Sequence, residues 1–289
     1  MADTSPSTLS TLPVPQLFSL SGQTVIVVGG GRGIGASVVL GCLEAGANVS
    51  VLDLLPEPDK NDWPPAQAAA EKNGLTLTYG VADVTNEESL VAGYKTIFDS
   101  VNESSAPLRG LVVTAGVPVP ISGLNVTYDQ WKRGIDINLN GSFLSSQVFA
   151  KEWIKRNPKA DSSDPDSPLA SIVLTSSIHG QGFNRQVPGP SYGSAKAGIK
   201  HLASILGAEW GARGIRVNSI SPGLIVTSTM RQNYIPTHPE YVDNMTKFTA
   251  VKRVADASEL KAPVVFLLSK GSSFVTGTDL VIDGGHLAS

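Results

Sequence analysis

The chain has 289 residues, 22 Lys+Arg against 25 Asp+Glu for a net charge of −3, and is 41% hydrophobic but only 16% charged. At roughly 100–200 residues per domain, this length allows one large α/β domain or two small ones, with ample core and no need of staples, and the apolar fraction excludes a disordered chain. No basic stripe points to nucleic acid, and the lone Cys42 excludes a disulfide framework or a thiolate metal site. The histidines at 179, 201, 238 and 286 lack metal-ligand spacing. No apolar run approaches the ~20 residues of a membrane span. The N-terminal MADTSPSTLSTLPVPQ has neither region of a secretory signal, so a soluble cytoplasmic protein is expected.

Residues 1–19, rich in Ser, Thr and Pro, are expected to be a flexible lead-in to one domain spanning 20–289. Short β-branched runs follow at 24–28, 48–52, 75–79, 111–115, 170–175, 215–220 and 279–282. Helical periodicity fills about 33–46, 64–73, 86–101, 127–157, 191–212 and 256–268. Apolar strands separated by helices demand a parallel sheet covered on both faces, hence a doubly wound α/β fold in a single domain. The polar stretches 56–65 and 156–168 read as surface loops within that domain.

The first strand runs into Gly29-Gly30-Gly31-Arg32-Gly33-Ile34-Gly35 and then a helix. A dinucleotide pyrophosphate needs backbone N–H donors at a helix N-terminus and glycines that allow close approach. The second strand ends at Asp53, a carboxylate able to accept both adenosine ribose hydroxyls and to repel a 2′-phosphate. It favours NAD(H). Arg32, whose guanidinium can reach a 2′-phosphate, keeps NADP(H) as the alternative. Asp83 and Val84 follow strand three, where Asp83 either meets the adenine edge or caps the next helix. Ala115 and Gly116 close strand four with small residues, leaving room for a cofactor.

The sharpest motif is Tyr192-Gly193-Ser194-Ala195-Lys196 at a helix start. Residues i and i+4 share a face, so phenol and ammonium can point into one cleft. A Lys⁺ about 4 Å away contributes about 4 kcal/mol at an effective dielectric near 20, roughly three pKa units toward neutrality for a phenol that ordinarily titrates near 10. Tyr192 then exchanges a proton with an alcohol or carbonyl oxygen while hydride moves to or from a nicotinamide. Ser177, ending strand five where ligands bind in such sheets, is placed to hold the substrate oxygen. Ser176 is its neighbour, with core packing or a turn hydrogen bond as the plainer role. Asn138 lies in a helical stretch where Asn is unfavourable, and a buried water linked to Lys196 would explain it; Asn140 reads as a surface residue.

With those residues in place, the chain resembles the short-chain dehydrogenase/reductase family over about residues 20–286. The resemblance is carried by GGGRGIG, NLNG, SS before YGSAK, RVNSISPGLIVT and VTGTDLVIDGG. Within it the chain is similar to the branch of sorbose reductases and mannitol or arabinitol dehydrogenases. The resemblance implies a Rossmann-type fold and a catalytic tetrad of Asn138, Ser177, Tyr192 and Lys196, with Tyr192 and Lys196 also touching cofactor. It implies further that Pro222, Gly223, Ile225 and Thr227 embrace the nicotinamide, and that about 226–249 forms a flap over the substrate. Three departures stand out: Val28 replaces a usual Thr, Val113-Thr114-Ala115-Gly116 replaces Asn-Asn-Ala-Gly, and Asp53 favours NAD(H) where the sorbose-reductase branch often favours NADPH.

His179, Gln181, Phe183 and Asn184 after Ser177, with Met230, Tyr234 and Tyr241 in the flap, are candidates for substrate contact, each against a plain loop-packing role. The expected activity interconverts a secondary alcohol and a ketone. A polyol or ketose is the first substrate class and a carbonyl intermediate of secondary metabolism the alternative; a nucleotide sensor without turnover is the rival of another kind. The family commonly assembles as dimers or tetramers, which makes a homo-tetramer or homo-dimer the expected assembly.

Overall fold

A computed structural model describes residues 11–163, 167, 169–182 and 188–288. In chain order the elements are α1 (Val14–Leu17), β1 (Thr24–Val28), α2 (Gly33–Glu44), β2 (Asn48–Asp53), α3 (Pro64–Asn73), β3 (Leu77–Val81), α4 (Glu87–Ser100) and β4 (Leu108–Val113). There follow α5 (Tyr128–Ile135), α6 (Gly141–Arg156), β5 (Ala170–Thr175), α7 (Pro190–Trp210), β6 (Ile215–Pro222) and β7 (Ile225–Val226). The chain closes with α8 (Ser228–Asn233), α9 (Glu240–Thr246), β8 (Ala255–Asp256), α10 (Lys261–Leu268) and β9 (Asp279–Ile282).

Seven strands form one parallel sheet in the order β3-β2-β1-β4-β5-β6-β9. Every residue of β1 and β5 is buried, as expected of central strands covered on both faces. On one face Tyr94 of α4, Trp153 of α6 and Ile199 of α7 pack against Ile26, Leu111 and Ile172. On the other, Val39 of α2, Ala66 of α3 and Val264 of α10 pack against Val27, Val51 and Val173. Strand order reverses between β1 and β4, opening a crevice beyond the strands' carboxyl ends.

Four elements differ from the periodicity. The predicted helix 127–157 is α5 and α6 joined by a π-helical turn, Asp136–Asn140, the local widening that a buried polar side chain at Asn138 exploits. The third strand starts two residues late because Gly74, at φ +63°, ends α3 and Leu75 still donates to Ala70. The fourth covers 108–113, since Thr114 and Ala115 both turn to donate to Val28 O. The stretch 56–65 is not wholly surface: Trp63 is buried, its ring edge-on to Tyr79 with centroids 5.5 Å apart.

Candidate active site

The turn after β1 is shaped for close approach. Gly29 sits at φ +85°, and a Cβ there would collide with the backbone of Ala115 at the end of β4. Thr114 locks the same junction, its hydroxyl donating to Gly29 O at 2.9 Å and lying 3.1 Å from Val28 O. Thr114, which stands at the second Asn of the Asn-Asn-Ala-Gly pattern, thus ties the two strand ends together. Gly33 at φ +57° opens α2, Arg32 is its exposed N-cap residue, and Ile34 and Gly35 complete the first turn. Two carboxylates hold this turn. Asp53 accepts from Gly31 N at 2.8 Å and from Leu55 N at 3.0 Å. Asp62 accepts from Gly33 N at 2.6 Å. Only the first was expected; Asp62 arrives from the far end of an irregular loop, which no local pattern signals.

A cavity of about 840 Å³ runs from this turn across the carboxyl ends of the strands. Gly29, Arg32, Gly33, Ile34, Gly35, Asp53, Asp83, Val84, Ala115, Gly116, Pro222, Gly223, Ile225 and Thr227 all line it. Gly31 does not; it stands behind Asp53. Asp83 accepts from Thr85 N at 2.8 Å, while Asn86 caps α4, so the helix-cap alternative falls to the neighbouring Asn. The donor set fits a dinucleotide: glycines at a helix N-terminus for the pyrophosphate, a carboxylate for ribose hydroxyls, and small residues at the ends of β4 and β6.

Ser177 and Tyr192 line the middle of the cavity. Burial pushes the Tyr192 phenol up, and its hydrogen bond with Ser177 pulls it down. Ser177 also accepts from His179 N at 3.2 Å, and the His179 ring packs edge-on to Tyr192 with centroids 5.6 Å apart. Lys196 lies beneath, 3% exposed, its Nζ donating to Thr175 O at 2.7 Å and 5.4 Å from the Tyr192 ring centroid. Burial brings it down from 10.5 to about 7. The expected drop of Tyr192 toward neutrality is therefore not the direction of the pair: the ammonium sits over the ring face, spends a proton on Thr175, and is itself desolvated, so burial wins.

Asn138 is fully buried and clamps the loop after β4, donating to Val117 O at 3.1 Å and Gly134 O at 2.9 Å and accepting from Val117 N at 3.3 Å. A Cβ on Gly116 would meet both Asn138 Oδ1, at 2.7 Å, and Lys196 Nζ, at 3.4 Å, so the two polar groups converge there. Asn138 and Lys196 thus support the cavity from behind its wall. Ser176 takes the plainer role, donating to Lys196 O at 2.7 Å; Asn140 is exposed.

At the far end His179, Met230, Tyr234 and Tyr241 line the cavity. Tyr234 stacks on His238 at 4.3 Å and meets Tyr241 edge-on at 5.0 Å. Gln181 leaves the site: it donates to Asp279 at 2.7 Å and accepts from Lys200 at 3.0 Å. Phe183 and Asn184 lie outside the described residues. The expectations missed the wall Val117–Pro120, whose only sequence signal was a VPVP run directly after Gly116.

A doubly wound sheet with a glycine turn opening α2 and a Ser-Tyr-Lys cluster at its carboxyl edge is the arrangement of the nicotinamide-dependent oxidoreductase class. Comparison with known proteins agrees. Residues 28–286 match the family model described as enoyl-(acyl carrier protein) reductase. A short-chain dehydrogenase/reductase of Aspergillus versicolor is 34% identical, covering 95% of this chain and 90% of that one. An L-tagatose-forming galactitol 2-dehydrogenase of Cereibacter sphaeroides is 30% identical, covering 93% and 97%. The crystal structure of an NADPH-dependent 3-quinuclidinone reductase from Rhodotorula rubra superposes with a TM-score of 0.82 at 26% identity, covering 99% of this chain and 98% of that one. The chain belongs to the short-chain dehydrogenase/reductase family, an oxidoreductase of alcohol and ketone substrates that uses NAD(P). Among the described residues, no helix is long and apolar enough to cross a membrane.

Proposed function

We propose that the protein interconverts a secondary alcohol and a ketone with NAD(H). The observation that carries this reading is the contact of Ser177 with Tyr192 in one cavity with the glycine turn and Asp53. Gly29, Gly33, Ile34 and Gly35 hold the pyrophosphate, Asp53 the adenosine ribose, Asp83 and Val84 the adenine, and Pro222, Gly223, Ile225 and Thr227 the nicotinamide, with Gly31 bracing Asp53 from behind. When bound, the nicotinamide supplies or accepts the hydride.

Tyr192 hands its phenolic proton to the carbonyl oxygen in reduction and takes the hydroxyl proton in oxidation. Ser177 donates a hydrogen bond to the same oxygen and fixes its distance from the phenol. Lys196, beneath the ring, lowers the cost of the phenolate whenever it carries its own proton. Asn138 keeps the Val117 backbone in place beside both. NAD(H) is supported by Asp53, whose charge opposes a 2′-phosphate, although the quinuclidinone reductase is named for NADPH. The galactitol 2-dehydrogenase relative, named for forming L-tagatose, supports the alcohol–ketone reaction class. The segment from about 226 to 249 serves as the substrate flap, and exposed Phe143 on α6 and Ile205 on α7 suit a homo-oligomer.

The test is Tyr192→Phe assayed with a verified substrate. It should lower kcat by about 10²–10⁴-fold while cofactor binding persists. Undiminished hydride transfer in that variant ends the proposal.

A further inference from the structure

We infer that the substrate is a largely apolar ring compound bearing the reacting carbonyl or hydroxyl at one end, rather than an open-chain polyol. This rests on the oxidoreductase reading above and concerns only what its site accepts. The argument starts from the wall Val117–Pro120, which lines the cavity beside Tyr192. It offers almost no hydrogen-bond donor. Val117 has its N–H and C=O both engaged by Asn138. Pro118 and Pro120 have no N–H. The Val119 carbonyl accepts from Ile121 N at 2.9 Å, which leaves at most the Val119 N–H as a donor. Gly189 packs against the wall from one side, so closely that a Cβ there would lie 2.8 Å from Val119 O.

Polar groups gather instead at the reacting end, on Ser177, Tyr192 and His179, with Thr229, Asn233 and Arg133 on other sides. Across the cavity the flap presents Met230, Tyr234 and Tyr241, the two tyrosines braced edge-on against each other. A hydroxyl pressed against the valine and proline side chains of this wall gives up its water and gains no side-chain partner. An open-chain polyol carries hydroxyls all around its carbon zigzag and cannot offer a bare face. A ring can lay carbon against valine and proline while its single oxygen reaches Tyr192.

The experiment compares kcat/KM of the whole enzyme for trans-decalone and cyclohexanone with NADH against L-sorbose, and for the matching ring alcohols with NAD⁺ against galactitol. Two stranded hydroxyls predict a preference for the ring compounds of about 100-fold or more. Pro118→Ser, which adds an N–H and a hydroxyl to the wall, should shrink that preference by about tenfold. L-Sorbose or galactitol used as well as the ring compounds overturns the inference and leaves the oxidoreductase reading standing. Turnover of neither class, with NADH bound, overturns that reading; calorimetric binding of trans-decalone against L-sorbose then scores the inference by itself, and equal or reversed affinity overturns it.

Discussion

The carboxylate of Asp62 accepts the backbone N–H of Gly33 at 2.6 Å, two residues along the turn from the Gly31 N–H that Asp53 accepts at 2.8 Å. Two carboxylates therefore brace the helix start proposed to hold the pyrophosphate. Such a brace makes the turn rigid and raises the cost of every extra anionic group brought to it.

Cofactor choice should report this directly. Asp62→Asn keeps an acceptor for Gly33 but removes the charge. Calorimetry should show 2′-phospho-ADP-ribose gaining affinity by about threefold or more over ADP-ribose, as expected for one charge removed at several ångströms near water. Asp53→Ala should shift the same ratio further. A wild type that already prefers the 2′-phosphate refutes the NAD(H) assignment.

The pH dependence has a fixed sign. Burial raises the Tyr192 phenol, so it carries its proton at neutral pH and is ready to donate it to a ketone. Alcohol oxidation needs that proton gone. Oxidation rates should climb as pH rises above neutrality while ketone reduction declines over the same range. Parallel profiles in the two directions would contradict a shared tyrosine.

Lys196 costs stability. Its amine falls from 10.5 to about 7 in the folded chain, so between those values the unfolded chain holds a proton that the fold has shed. Stability from this group therefore increases as pH rises from about 7 toward 10.5. In Lys196→Met the melting temperature should vary less steeply across that window, with no loss of stability at neutral pH, while activity is lost. Thermal unfolding followed at several pH values decides it.

Thr114→Val removes the hydroxyl that ties the end of β4 to Gly29 O. The acceptor is part-buried, so about 1–2 kcal/mol of unfolding free energy should be lost. Denaturant titration measures this, and weaker ADP-ribose binding should accompany it. Unaltered stability would mean that the Gly29–Ala115 approach holds the junction unaided.

The doubly wound sheet was legible because its signals are local: β-branched runs, helical spacing, a glycine turn between a strand and a helix. Tyr192 and Lys196 were legible for the same reason, as one helical turn places both on one face. What tertiary packing decided involves partners far apart in the chain. Asp62 reaches Gly33 because Trp63 buries against Tyr79. Gln181 turns from the substrate toward Asp279 on β9, across the sheet edge. Whether Lys196 acts as a full charge depends on its enclosure between its own helix α7 and the end of β5, and desolvation belongs to the folded surroundings rather than to a four-residue spacing. Side-chain period follows from backbone geometry alone; polarity at a site follows from what the rest of the chain packs around it.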